Sequence, residues 1–392
     1  MTVNSGELTV DWEIKDLGEI CNISTGKLNA NAAVENGKYP FFTCSREIFA
    51  IDCFAFDCEA ILLAGNNAVG DFNVKHYKGK FNAYQRTYVI TIKKAEPLLY
   101  KYLYLQVENA LKHFKLKSVG AGTKFLKLDM IKSLKIHLPP LDEQKRIVGI
   151  LDEAFEGCDR VIRNTEKNLA NSRELFESYL NAIFTQKSEG WEEKTLREIS
   201  LDFGRGKSKH RPRNDPKLYG DSYPFIQTGD VRNCNHVITQ CSQFYNEAGL
   251  AQSKLWQKGT ICITIAANIA ETGILGFDAC FPDSIIGIAV NHELTSNDFV
   301  EYLLQAVKAR IKAKGQGSAQ DNINMATFEN EKFPFPSLEQ QKTIVGNLNQ
   351  LSLETQRLET IYKQKLTALK ELKQSILQKA FTGKLTADSL RC

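Results

Sequence analysis

The chain contains one long segment twice. Residues 138–185 align without a gap on residues 335–382, so the second copy lies 197 positions after the first. Identical residues recur along the alignment, including Pro139 and Pro336, Gln144 and Gln341, Leu169 and Leu366, and Phe184 and Phe381. The period is about half of the 392 residues, whereas solenoid repeats have periods of roughly 20–50 residues. We therefore expect the chain to use one domain-sized unit twice.

Weaker similarities precede each copy, at offsets that vary. The sequence DWEIKDLGEI at 11–20 resembles GWEEKTLREI at 190–199. Tyr102 and Leu103 likewise resemble Tyr302 and Leu303. Each repeat is therefore predicted to be a globule followed by a long helix. The predicted boundaries are 1–138 for the first globule, 139–187 for the first helix, 188–335 for the second globule and 336–392 for the second helix.

Apolar or small residues in the repeated segment recur at alternating steps of four and three. This spacing is typical of the narrow seam of a coiled coil. The predicted seam residues are Ile147, Leu151, Val161, Leu169, Tyr179, Ile344, Leu348, Leu358, Leu366 and Ile376. Prolines precede both helices, and about forty residues would give a rod of roughly 60 Å. We expect the two helices to pair with each other, antiparallel, and to leave surface for other proteins.

Both globules combine short β-rich runs with helical stretches. The apolar runs 60–65 and 260–266 are typical of buried strands, whereas 100–114 and 299–311 have helical spacing. The predicted fold class is α+β, with two globular domains separated by two long helices. Those helices are predicted to form an antiparallel coiled coil, and the whole chain a pseudo-two-fold internal repeat.

Composition excludes several classes of protein. The net charge of +4 is too small to indicate nucleic-acid binding by itself. The ten cysteines are scattered, and the first twenty residues have no basic stretch followed by an apolar run. These features predict reduced thiols in a cytoplasmic protein. No segment approaches eighteen consecutive apolar residues, so we expect no membrane span.

The sequence offers no catalytic motif. The tripeptide GKS at 206–208 resembles the end of a phosphate-binding loop, but Leu201 stands where that motif requires glycine. Cys234, His236 and Cys241 have no clear fourth partner for a metal. We therefore predict no catalytic residues, no metal site and no cofactor bound by this chain.

The second globule contains a loop dense in basic residues, with Asp215 as its acidic residue between positions 204 and 217. Such a loop can neutralise phosphates or place a guanidinium against guanine. A solvated basic loop without a ligand is the alternative. The predicted DNA-contacting residues of this globule are Arg205, Lys207, Lys209, His210, Arg211 and Arg213, with Gln316 and Ser318 from a second loop.

The first globule has a weaker counterpart between residues 65 and 87. Asn66 and Asn67 can read adenine, the basic residues can hold the DNA backbone, and a loop beginning at Gly120 presents a hydroxyl and a lysine. An ordinary strand connection is the alternative. The predicted DNA-contacting residues are Asn66, Asn67, Lys75, His76, Lys78, Lys80, Arg86, Thr123 and Lys124.

The doubled motif resembles that of the specificity subunits of type I restriction-modification systems. LPPLDEQKRIV at 138–148 and FPSLEQQKTIV at 335–345 carry the resemblance, together with the openings at Trp12 and Trp191. The second copy departs mildly from the pattern, with Ser337 in place of proline and Gln340 in place of glutamate. The resemblance covers essentially the whole chain.

Membership of this family implies a DNA-recognition subunit that reads a bipartite asymmetric site. Each globule would be a target-recognition domain for one half-site, and the helices would set the distance between them. The implied partners are double-stranded DNA, two methyltransferase subunits that transfer methyl groups to adenine N6, and two restriction subunits. S-adenosylmethionine, ATP and Mg²⁺ would be cofactors of those partners. The alternatives are a stand-alone DNA methyltransferase or nuclease, or a scaffold with no role on DNA.

Overall fold

Each of the two long helices contributes to two folded units. The computed structural model describes residues 12–94, 96–185, 190–210, 212, 214–266, 269–315, 325, 328 and 330–387, with the backbone alone for 309–315. One unit comprises residues 1–166 and 363–392, and the other comprises residues 167–362. The first long helix (Leu141–Thr185) and the second (Leu338–Phe381) are therefore each divided between the units.

The first unit is built around a six-stranded sheet with the order β2-β8-β5-β7-β3-β4. Neighbouring strands are antiparallel except β3 and β7, which are parallel. Two short ladders, β1 with β10 and β6 with β9, complete its strands. The strands are β1 (Glu13–Asp16), β2 (Cys21–Thr25), β3 (Tyr39–Phe42), β4 (Phe49–Ile51), β5 (Phe56–Ala64), β6 (Asn66–Asn67), β7 (Val74–Ala83), β8 (Thr87–Ile92), β9 (Lys124–Phe125) and β10 (Lys135–Leu138).

Helical residues of the first unit pack against one face of this sheet. Its short helices are Leu17–Ile20, Ala30–Ala32 (a 3₁₀ turn), Tyr100–Asn109, Leu111–Lys117, Leu128–Lys132 and Lys384–Ala387. The core joins Ile61 and Ile90 of the sheet to Tyr102 and to the long helices, which contribute residues such as Leu151 and Phe381. Because apolar burial is the main stabilising term in folding, both long helices are integral to this unit.

The strands of the second unit are β11 (Glu192–Thr195), β12 (Ser200–Arg205), β13 (Tyr219–Phe225), β14 (Val237–Ile238), β15 (Gln243–Tyr245), β16 (Leu255–Trp256), β17 (Ile261–Thr264), β18 (Thr272–Leu275), β19 (Ala279–Cys280), β20 (Ile285–Val290) and β21 (Lys332–Phe335). They form two main sheets, with the orders β12-β20-β17-β18-β14 and β15-β13-β19-β16, and a ladder of β11 with β21. Its short helices are Pro216–Leu218 (a 3₁₀ turn), Thr228–Asn233, Glu247–Ala251 and Asn297–Gly315.

The long helices also enter the core of the second unit. Leu180 and Phe184 from the first helix and Leu348 from the second pack with Phe299 and Tyr302. The rings of Phe184 and Phe299 lie 5.4 Å apart. Phe184 and Phe381 occupy the same position in the repeat, and each packs into the unit that contains it.

One glutamine fixes the start of each long helix to its unit. The Gln144 side chain is fully buried; its Nε2 donates to the Pro97 and Pro139 carbonyls, both at 2.9 Å, and its Oε1 accepts from the Leu99 N–H at 2.9 Å. These bonds satisfy backbone groups that burial would otherwise leave unpaired.

Gln341 makes the same kind of contacts in the second unit. Its Nε2 donates to the carbonyls of Leu294 at 3.1 Å and Pro336 at 3.0 Å. Its Oε1 accepts from the Thr295 hydroxyl at 2.8 Å. The glutamine shared by the two motifs therefore has a structural role that the repeat alone did not reveal.

The predicted seam residues differ in burial. Ile147, Leu151 and Leu348 are fully buried, and Val161, Leu169, Ile344, Leu366 and Ile376 are half-buried. Tyr179 and Leu358, however, are 40% and 39% exposed. In the first helix the buried face moves from Ser172 to Leu180, a step of eight residues. An α-helix has 3.6 residues per turn, whereas the predicted seam assumes a repeat of 3.5 residues. Positions chosen with the shorter repeat therefore move gradually away from the buried face along a long helix.

The architecture confirms mixed α and β structure with two folded units and long helices. Side chains of the two long helices also bond to each other within each unit. In the first unit, Lys373 Nζ lies 2.7 Å from an Asp159 carboxylate oxygen. In the second, Arg173 donates from Nε and Nη2 to the two carboxylate oxygens of Glu359 at 2.8 and 2.9 Å.

Candidate DNA interface

Four segments of the first unit converge and bring several predicted DNA-contacting residues together. They are residues 43–46, 64–73, 84–87 and 119–126. The Cys44 thiol and the Gly65 N–H both donate to the Arg86 carbonyl, at 3.3 and 2.8 Å. The Leu126 N–H donates to the Gly65 carbonyl at 2.8 Å. We call this group of segments the loop cluster.

The predicted Asn66 and Asn67 of the loop cluster have different roles. Asn67 Oδ1 accepts from the backbone N–H groups of Val69 and Asp71, at 2.9 and 3.0 Å, so this side chain shapes the turn. Asn66 Oδ1 is buried and, among the described residues, has no hydrogen-bond partner. Both lie on β6, where Asn66 pairs with Phe125 and Asn67 with Lys124. The pairing places the predicted Asn66, Asn67, Thr123 and Lys124 beside one another.

Lys75 points into the loop cluster and supports it. Its ammonium donates to the Ser45 carbonyl and to Asn73 Oδ1, both at 2.6 Å. Asn73 Nδ2 in turn donates to the Cys44 carbonyl at 2.9 Å. Burial lowers the pKa of Lys75. These internal contacts suit a residue that holds the 43–46 segment in place more than one that holds a phosphate.

Arg86 and Lys124 present charge at the surface of the loop cluster. Arg86 is exposed, and its guanidinium lies 5.2 Å from the centre of the Phe125 ring. Thr123 and Lys124 belong to the hairpin that Val119 and Phe125 close with two backbone hydrogen bonds, of 3.1 and 2.8 Å. The hairpin turns at Gly120, whose φ of +114° favours glycine.

The remaining predicted residues of the first globule, His76, Lys78 and Lys80, lie elsewhere on β7. Because successive side chains of a strand point to opposite faces, His76, Lys78 and Lys80 project away from Lys75. His76 and Lys78 contact Glu59 at 2.9 and 3.3 Å. Lys80 lies 4.8 Å from the centre of the Phe54 ring. The sequence prediction therefore combined two separate surfaces.

Two further cations, Arg46 within the loop cluster and Lys115 beside it, were not predicted from the sequence. Arg46 Nη2 lies 2.8 Å from an Asp71 carboxylate oxygen. Lys115 lies beside Gly70, because a Cβ atom on that glycine would be 3.3 Å from Lys115 Cγ and 3.4 Å from Lys124 Cγ. Arg46 and Lys115 are far from Gly70 and Asp71 in the sequence, so the fold brings them to this surface.

The predicted residues of the second unit begin at Arg205, the last residue of β12. Arg205, Lys207 and Lys209 are exposed. His210 Nε2 lies 2.9 Å from an Asp215 carboxylate oxygen, and the His210 N–H donates to Gln252 Oε1 at 3.0 Å.

Asp215 stabilises this loop. Its carboxylate accepts from the Lys217 N–H and from His210, and these hydrogen bonds lower its pKa. The predicted Arg211, Arg213, Gln316 and Ser318 lie outside the described residues.

A partly buried charged cluster in the second unit was also missed. His236 Nδ1 lies 2.6 Å from Glu301 Oε2, and its Nε2 lies 2.9 Å from Asp298 Oδ1. Burial lowers the pKa of His236, but hydrogen bonds and charge interactions with both carboxylates outweigh burial and raise it to about 9. The imidazole also stacks on Tyr302, with ring centres 4.6 Å apart.

Cys234, His236 and Cys241 have partners other than a metal. Cys234 donates from Sγ to the Val231 carbonyl at 3.0 Å. Within the described ranges, no group of three or more histidine, cysteine, aspartate or glutamate side chains is arranged to hold a metal ion. Across the same residues, none of the helices combines the length and apolar character needed to cross a membrane.

Comparison with known proteins places both repeats in the same class. A family model described as the type I restriction modification DNA specificity domain matches residues 9–171 and again residues 188–368. The EcoDI type I restriction enzyme specificity subunit of Escherichia coli is 28% identical and is aligned over 98% of this chain and 91% of its own length. A putative type I specificity subunit of Methanocaldococcus jannaschii, MjaX, is 25% identical over 97% and 95%.

Two solved structures have a similar fold. One is a chain from a study of complex assembly and conformational transition of the type I R-M system, with a TM-score of 0.75 at 20% identity, covering 97% of this chain and all of that one. The other is the HsdS subunit of Thermoanaerobacter tengcongensis, with a TM-score of 0.57 at 20% identity, covering 98% of this chain and all of that one.

Proposed function

Since the chain belongs to the family of type I restriction modification DNA specificity domains, we propose that it is the subunit that recognises the DNA sequence in a type I restriction-modification complex. The observation that carries this proposal is the double match of one DNA specificity domain, once to each repeat. Two DNA-recognition domains in one chain suit a bipartite site, and the different sheets of the two domains suit two unlike half-sites.

The distance between the half-sites would be set by the long helices, paired as an antiparallel coiled coil. The contacts within each unit support this pairing. In Asp159 with Lys373, and in Arg173 with Glu359, the residue numbers have the same sum, as expected for two helices that run in opposite directions. The like-placed Gln144 and Gln341 support a pseudo-two-fold arrangement.

Both readers would act together on one duplex. Once one globule is bound, the second meets its half-site at a high effective concentration, so that the discrimination of the two multiplies. The loop cluster of the first unit and the 205–210 segment of the second carry the cations that suit phosphate and base contacts.

Methyl transfer and cleavage would belong to partner proteins. We propose two methyltransferase subunits that use S-adenosylmethionine to methylate adenine N6, and two restriction subunits that use ATP and Mg²⁺. The long helices carry exposed apolar side chains suited to protein contacts, including Leu175 (61% exposed) and Leu353 (66% exposed) in the second unit. We propose that these side chains contact the partner subunits.

The proposal is tested by mapping N6-methyladenine in cells that express the methyltransferase subunit with and without this chain. We expect a bipartite methylated sequence that depends on the chain. Matched four-residue insertions opposite each other in the two long helices should lengthen the gap by about 6 Å, or roughly two base pairs, and leave both half-sites unchanged. Methylation that ignores this chain, or an insertion that changes the bases read, would contradict the proposal.

A further inference from the structure

The main chain of Arg86 is held by a close contact with the backbone of Gly65. Arg86 lies in the turn between β7 and β8, and its carbonyl accepts from Gly65 N–H and from the Cys44 thiol. A Cβ atom on Gly65 would lie 2.4 Å from that carbonyl oxygen, so only glycine permits the contact. The position of Arg86 is therefore fixed by its main chain.

The Arg86 side chain is oriented by an aromatic ring that is itself held in place. Its guanidinium lies over Phe125, 5.2 Å from the ring centre. Phe125 exchanges two backbone hydrogen bonds with Val119 and pairs with Asn66 of β6. Because a guanidinium stacks on an aromatic face, the ring limits the orientations that its donor edge can take.

The donors of Arg86 are open to a ligand. Among the described residues, no carboxylate forms an ion pair with Arg86, whereas Arg46 pairs with Asp71 and Lys78 with Glu59. An exposed, oriented and unneutralised guanidinium suits a partner that presents two acceptors side by side.

We propose that Arg86 reads a guanine in the half-site bound by the first globule, with Phe125 as its positioning residue. This inference rests on the proposed function and goes beyond it by naming a residue and a base. Guanine presents the two acceptors O6 and N7 in the major groove, and a bidentate arginine contact is the commonest specific contact to a base. Lys115 and Lys124, as single point charges beside the same loops, suit phosphates.

The test is N6-methyladenine mapping in cells that express the chain, with its methyltransferase subunit, as wild type, R86A, R86K or F125L. R86A and R86K should both relax one G·C position of one half-site, by about 5- to 150-fold in discrimination, and leave the other half-site unchanged. F125L should relax the same position by less. The matched control is K101A, because Lys101 also lies over a ring, that of Tyr104 at 5.8 Å, but outside the loop cluster; it should leave the sequence unchanged.

A phosphate contact gives a different result. R86K would then keep the recognised sequence, and R86A would weaken methylation of all sites alike, with a shallower salt dependence. That outcome, or a wild-type site in which R86A relaxes no G·C position, overturns the role of Arg86 and leaves the proposed function intact. A wild-type chain that directs no bipartite methylation overturns the proposed function itself. Thermal melting of each variant shows whether the fold is retained.

Discussion

The two units are attached to the long helices in the same way and differ in their sheets. Each has a two-stranded ladder before its long helix, β1 with β10 or β11 with β21, and a glutamine that bonds the preceding loop. Beyond this frame, the first unit has one six-stranded sheet and the second has sheets of five and four strands. The repeat thus retains the residues that join globule to helix, while the surfaces available for recognition are free to diverge.

The largest expected effects come from the aromatic residue at the end of each long helix. F184A and F381A each empty a buried site against Phe299 or Tyr102, and each should cost about 3–5 kcal/mol. Hydrogen exchange resolved along the chain should show F184A loosening the second unit and F381A loosening the first. If F381A loosened only the second unit, the division of the helices between the units would be wrong.

The glutamines at the starts of the two long helices should contribute equally to stability. Q144A and Q341A each leave buried backbone or hydroxyl groups without a partner, so each should lower the free energy of unfolding by about 2–4 kcal/mol. Urea denaturation measures both losses. A cost confined to one glutamine would show that the two attachments are not alike, despite their similar hydrogen bonds.

The interactions of His236 should make the stability of the second unit depend on pH. The pKa of His236 is raised from 6.5 to about 9 in the folded state, so its contribution is complete below pH 6.5 and is lost as the pH rises through about 9. We expect the second unit to lose about 2–3 kcal/mol over this window. H236Q should remove this pH dependence, as measured by thermal melting at pH 6 and pH 10. An unchanged pH profile in H236Q would contradict the role of the imidazolium.

The smallest effects should come from the ion pairs between the long helices. Arg173 meets Glu359 through two bonds in the second unit, whereas Lys373 meets Asp159 through one in the first. Exposed pairs contribute at most about 1 kcal/mol, with the bidentate pair the stronger. Double-mutant cycles with alanine measure both couplings. A stronger coupling for Lys373 with Asp159 would reverse the comparison.

The sequence predicted the features that depend on periodicity and repetition. The repeat of 197 positions located both long helices, because helical spacing persists over many turns and does not depend on distant contacts. It did not locate the buried face at Tyr179 and Leu358, because small departures from the period accumulate along a long helix. Nor did it explain Gln144, because two of its partners, Pro97 and Leu99, lie more than forty residues earlier in the chain.

The candidate site was less predictable because the direction of a side chain depends on strand pairing. Lys75 and His76 are neighbours in sequence but point to opposite faces of β7, and their contacts differ accordingly. Asn67 shapes a turn, which its residue type alone does not distinguish from a role in base contact. Arg46 joins the site only through the fold.

The division of the second long helix between the units has a consequence for synthesis on the ribosome. The first unit needs Leu377 and Phe381 for its core, and almost two hundred residues separate them from the rest of that unit. At about 5–20 residues per second, the nascent first unit would wait roughly 10–40 s before its core can close. We expect the apolar face that Leu377 and Phe381 cover to be exposed during that interval, when it could bind a chaperone.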